Sequence, residues 1–272
     1  MRFIGTTFFS LIFLFSSFAQ KIEISESDLQ MQLDSILKEA HLLYSYEKSA
    51  WIATDLAREN KDLRSRFGGF FTYENRDQII VLILDRSYEK CVAEYRFKER
   101  FDKPKSEIIK TRKLNKKEKT LFKARDKLLE NLMDEKYNIG IAEGFGLNPI
   151  FIPFHKKYKL YIITGTSLNN VIPFGNDYIF ISDKNGNVEF WHKFHSRLIA
   201  EPVEYEGNKV TKMTHSHLAT TPLITPTDIC TFMLYAPIYD IDEFSVYSPA
   251  IGAYMTYNWK SDKISVKWNS KE

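Results

Sequence analysis

Residues 209–235 read KVTKMTHSHLATTPLITPTDICTFMLY. The segment 209–214 alternates in the manner of a strand and runs directly into His215-Ser216-His217. A loop follows, and Thr225-Pro226-Thr227-Asp228 then opens an apolar helical stretch that reaches Tyr235. Thr at the N-cap, Pro at the first helical position and Asp at N3 is a favourable helix start on backbone grounds alone. A strand, a loop and a helix in this order predict a mixed α+β arrangement.

Outward from this stretch the pattern continues in the same class. Segments 244–247, 253–259 and 264–268 read as closing strands around a turn at 260–263. Upstream, 159–164, 177–182 and 188–194 read as strands, with Asp183-Lys184-Asn185-Gly186 supplying the tight turn between two of them. Gly140, Gly144, Gly146 and Pro149 interrupt the pattern near 137–150 and place a boundary there. Before it, 70–73, 79–84 and 91–97 read as a three-stranded meander. A helix is predicted from Ser27 toward residue 60, on apolar residues recurring at three- and four-residue steps and on Ser27 with Gln30 as a capping box. The basic stretch 103–127 leads into another helix capped by Asn115 and Glu118, read as a solvated face with interleaved charges. The predicted fold is α+β, a mixed sheet with flanking helices. It is organised as a leader over 1–19, a helix, meander and helix region over 20–138, and a C-terminal region over 139–272.

Residues 1–19 carry Arg2, an apolar run from Phe3 to Phe18 and Ser17-Phe18-Ala19 before Gln20. That order of basic, apolar and small residues is what a signal peptidase reads, so a secreted or periplasmic protein cleaved near Ala19 is expected. The run is interrupted by Thr6, Thr7 and Ser10 and is short for a membrane span, and no later stretch approaches spanning length. The net charge of +3 points to no strongly charged partner, and nucleic acid is not indicated. Aromatic residues make up 15% of the chain, enough for a sizeable core. Cys91 and Cys230 are too few for a disulfide framework; a bridge between them and two buried thiols both remain open.

His215 and His217, alternate residues at a strand end, direct both imidazoles to one side. With a carboxylate they make a three-ligand zinc site, and Asp228 offers that carboxylate from the first turn of the next helix. Read as one string, His215-Ser216-His217, seven residues, Thr225, two residues and Asp228 resembles the signature of the JAMM (MPN-type) metallohydrolases, with Thr where that family usually has Ser. The resemblance extends over about 139–268 and does not reach residues 20–138. It implies that His215, His217 and Asp228 ligate Zn2+, that Thr225 assists an oxyanion, and that an upstream Glu is the general base. Glu143, in Glu143-Gly144-Phe145-Gly146-Leu147, fits that last context; Glu201, Glu204 and Glu206 are nearer in sequence. The implied activity is zinc-dependent hydrolysis of an amide or isopeptide bond in a peptide or protein substrate. The alternative is a non-catalytic secreted or periplasmic binding protein that retains the fold. His192 and His195 form a second pair, with His195 read either as a support for the site or as a hydrogen-bonded edge of the core. Cys230, inside an apolar helical run, reads as a core thiol rather than a nucleophile.

Overall fold

The computed structural model describes residues 22–98 and 101–269; the expected leader, 1–19, lies outside the described residues. Helix α1 spans Glu26–Glu59. Its cap is Ser25, not the expected Ser27: the Ser25 hydroxyl accepts the Asp28 amide at 3.1 Å, and Glu26 and Asp28 place two acids on the positive end of the helix. Leu29, Leu33, Ala40 and Leu43 form its buried stripe, and farther along Ala50, Ala53 and Ala57 keep that stripe narrow. Asn60 then caps a short helix, α2 (Lys61–Arg66), by accepting the amides of Asp62 and Leu63.

The expected meander follows as β1 (Phe67–Asn75), β2 (Gln78–Asp85) and β3 (Lys90–Phe97), antiparallel throughout. Two short strands, β4 (Ser106–Ile108) and β5 (Arg112–Lys113), both pair with β3. Ile79 to Leu84 are all buried, because β2 has a core on each face. Ile79, Val81 and Ile83 join the core of α1, while Ile80, Leu82 and Leu84 join that of helix α3 (Lys116–Asn131). A strand with side chains alternating between two covered faces reads as a continuous apolar run. The capping box of Asn115 and Glu118 is present at the start of α3. Leu121 and Leu128 of the helix are buried, and so is one of its charged residues. Glu118 is wholly buried and accepts two hydrogen bonds from the Arg112 guanidinium and one from the Tyr73 hydroxyl.

Eight further strands come next: β6 (Phe145–Phe154), β7 (Lys157–Thr166), β8 (Val171–Gly175), β9 (Tyr178–Ser182), β10 (Val188–Lys193), β11 (Leu198–Pro202), and the two-residue β12 (Glu204–Tyr205) and β13 (Asn208–Lys209). Four of them make a sheet in the order β10-β9-β7-β6, and β8 pairs with β11. Strand β6 was not expected, since Gly144, Gly146 and Pro149 read as a boundary, and it also contains Pro153. It lies at the edge of its sheet, where a missing N–H is tolerated. The last unit is β14 (Lys212–Ser216), α4 (Pro226–Tyr239), β15 (Glu243–Ser248), β16 (Ala253–Asn258) and β17 (Lys263–Trp268). Strand β14 runs parallel to β15, the geometry a helical crossover produces, and β15, β16 and β17 are antiparallel. Helix α4 packs on α1, and the core that α1 shares draws on residues from both sides of the chain's midpoint. Cys91 and Cys230 are free, buried thiols in separate cores. Among the described residues no helix is long and apolar enough to cross a membrane. The architecture is α+β, as expected.

Candidate metal centre

The alternation of β14 sorts its side chains. Lys212, Thr214 and Ser216 are exposed, while Met213, His215 and, just past the strand, His217 are buried. The His217 amide donates to the Tyr247 carbonyl at 2.9 Å, so the ladder with β15 holds both imidazoles on the same side. Asp228 sits at the third position of α4 with its carboxylate in the same space. A fourth side chain, His195, enters from the bend between β10 and β11. The ligand atoms of His195, His215, His217 and Asp228 all lie within 4.8 Å of one another, and all four residues are buried.

Nε2 of His217 stands 2.9 Å from Nε2 of His195 and 3.2 Å from Nε2 of His215. Asp228 Oδ1 is 3.3 Å from the His195 nitrogen and 3.5 Å from the His215 nitrogen, and Asp228 Oδ2 is 3.3 Å from that of His217. Four donors at zinc–nitrogen distance from a common centre form a tetrahedron with edges of about 3.3 Å. The five distances lie between 2.9 and 3.5 Å, and the whole donor set lies within 4.8 Å.

Hydrogen bonds behind the cluster decide which way the imidazoles face. The Leu223 carbonyl can only accept, so His217 donates to it from Nδ1 at 2.8 Å and turns a bare Nε2 inward. His195 donates from Nδ1 to Asp177 Oδ1 at 2.7 Å, and the other oxygen of Asp177 accepts from the Thr227 hydroxyl. The two Nε2 atoms are thereby turned towards each other and towards the Asp228 carboxylate. Asp228 Oδ1 is buried with no hydrogen-bond partner. An anionic oxygen left bare in the interior is costly, and a cation at the focus of the cluster offsets that cost. The protonation behaviour points the same way. Burial opposes charge on His195, yet the carboxylates of Asp177 and Asp228 push its pKa up to about 9. Burial would raise the Asp228 carboxyl, but His195 and His217 hold it well below the usual carboxylate range. The pocket is built for positive charge.

Backbone geometry supports the cluster. Gly175, at φ +71°, lies against the His195 bend, and a Cβ there would meet the Arg197 carbonyl at 2.3 Å. Thr225 caps α4 by accepting the Asp228 amide, and it binds Asp228 Oδ2 through both its hydroxyl (2.7 Å) and its own amide (3.0 Å). The Thr225 hydroxyl is thus spent on orienting a ligand. Glu143 is exposed, in the turn before β6, and is not part of the cluster or of the cavity beside it. Glu201 does line that cavity, which has a volume of about 570 Å³ and is walled on one side by His195 and His215. His192 bonds Thr221, and exposed His41 bonds Asp262.

Of the residues anticipated from sequence, His215, His217 and Asp228 converge. The fourth member, His195, and its partner Asp177 were not assigned as ligand and orienting base. The available signal was a third histidine 20 residues before His215 beside a buried acid, too loose a spacing to single out. Compared with family models, curated proteins and solved structures, the chain finds no match. The centre therefore stands on its geometry: four buried donors, three nitrogens and a carboxylate, that can hold a metal ion.

Proposed function

We propose that this chain is an exported zinc-binding protein, with a single ion held by Nε2 of His195, His215 and His217 and by the carboxylate of Asp228. One observation carries the reading: the orphaned Asp228 Oδ1, buried beside Nε2 of His195 and of His215, in a cluster where the outer nitrogens of His195 and His217 are already committed. Three imidazoles and a carboxylate suit zinc, copper, iron or nickel, and zinc is the ion most often held by four such protein donors. Four protein donors fill such a site. The ion's role in this reading is to tie the β10–β11 bend, the end of β14 and the start of α4 together, with Asp177, Leu223 and Thr225 fixing the ligands. Metal analysis of the purified protein tests it. One zinc per chain, lost in His195→Ala as fully as in His217→Ala, supports a four-donor centre, and a metal-free protein at micromolar zinc supply rejects it.

A second reading, zinc-dependent hydrolysis of an amide or isopeptide bond as the JAMM resemblance implies, is favoured by the cavity against His195 and His215. Here His195 and His215 would meet the substrate side of the centre, and Glu201 is the carboxylate lining that space. A zinc ion supplies an electrophile and an activated water in such chemistry. Cleavage of a peptide library that disappears in His217→Ala, with zinc retained in Glu201→Gln but turnover lost, would establish this reading over the first.

A further inference from the structure

The cavity beside the centre holds charged groups that are not among its four donors. Arg197, Ile199 and Glu201 alternate along β11 and its leading residue, so the period of the strand turns all three to one face, and all three line the cavity. Thr214 and Ser216, the outward residues of β14, line the opposite side. Neither the Arg197 guanidinium nor the Glu201 carboxylate has an ion-pair or hydrogen-bond partner among the described residues. An unpaired cation and an unpaired anion separated by an aliphatic side chain present a complementary pattern to a ligand charged at both ends.

We propose that this cavity binds a short peptide with free termini, its carboxylate on Arg197 and its ammonium on Glu201. Residues 197 and 201 are four apart on a strand, about 13 Å between Cα atoms. An extended peptide covers about 3.5 Å per residue, so two to four residues fit between the two charges. Arginine grips a terminal carboxylate through two parallel N–H donors. Ile199, Phe194 and Leu218 offer apolar wall to the peptide side chains, and the Thr214 and Ser216 hydroxyls face its amides. The volume of about 570 Å³ lies within the range of small-ligand sites. The inference deepens the binding-protein reading of the centre, because His195 and His215 form part of the cavity wall.

The test is calorimetric titration of the full-length protein with trialanine, N-acetyl-trialanine and trialanine amide, with zinc measured on the same samples. Saturable binding of trialanine is expected, weakened about tenfold or more by blocking either terminus and by Arg197→Gln or Glu201→Gln, both exposed or half-buried positions that the fold does not need. Absence of saturable heat up to about 10 mM peptide overturns the proposal, as does binding indifferent to the blocked ends and to both variants. Zinc at one per chain without peptide binding removes this inference and leaves the centre. Peptide binding in a protein that takes up no zinc does the reverse.

Discussion

The Nε2 atoms of His195 and His217 lie 2.9 Å apart while their Nδ1 atoms donate in different directions, to Asp177 and to the Leu223 carbonyl. Each ring is held from behind by a separate element, so the approach of the two nitrogens is imposed by the fold. A cation bound between them, as proposed, would tie three elements together, and its removal should loosen all three. Chelation of the purified protein is expected to lower its melting temperature on the order of 10 °C, with His217→Ala starting from the lower value and showing no response to chelator. A melting curve insensitive to chelation would remove the ion from the stability of the fold.

Asp177 acts on the centre only through His195 and through the Thr227 hydroxyl. Asp177→Asn should leave a folded protein whose zinc affinity, by competition with a chromophoric chelator, is about 10- to 100-fold weaker. An unchanged affinity would mean that His195 needs no orienting base.

Arg112 spans two buried carboxylates, donating to Glu118 at 2.7 and 2.8 Å and to Glu94 at 2.6 Å. Arg112→Ala leaves buried Glu118 without its cation and Glu94 with Arg96 alone, and is expected to cost about 3–5 kcal/mol by urea unfolding. The double change of both acids to Gln in that background should recover part of the loss.

Glu47 is buried in α1 and accepts from the Trp51 indole and the Asn148 amide. Burial outweighs those bonds and pushes its pKa up to about 7 from an ordinary value of 4.5. The folded state therefore binds a proton that the unfolded state has released. The stability this group contributes is complete below pH 4.5 and is lost as pH rises to 7, about 3 kcal/mol in all. Glu47→Gln keeps an acceptor for both donors, so the wild-type minus variant difference in urea midpoint should fall across that window and level off above it. A flat difference would place the titration elsewhere.

Much of the centre was legible in one short string, because a strand end and a helix start each fix their side chains over a few residues. His215 and His217 share a face through the two-residue period, and Asp228 is held at N3 by the cap that Thr225 makes. His195 was hidden for the opposite reason. It reaches the cluster through the bend after β10, whose position depends on β9 pairing and on the close approach at Gly175, neither of which sequence spacing encodes. Strand β6 escaped notice because Gly and Pro mark turns in most settings, and only its place at a sheet edge removes the conflict. Glu118 was legible as the capping partner of Asn115, as it is, but its burial was not, because that depends on Arg112 arriving on β5.

Helix α1 touches the first meander on one flank and α4 and β17 on others. It is the axle on which the two ends of the chain are mounted. Excising it would bare apolar surface on both sets of strands at once, so the region carrying the histidines should be made with its amino-terminal partner rather than cut free near residue 138.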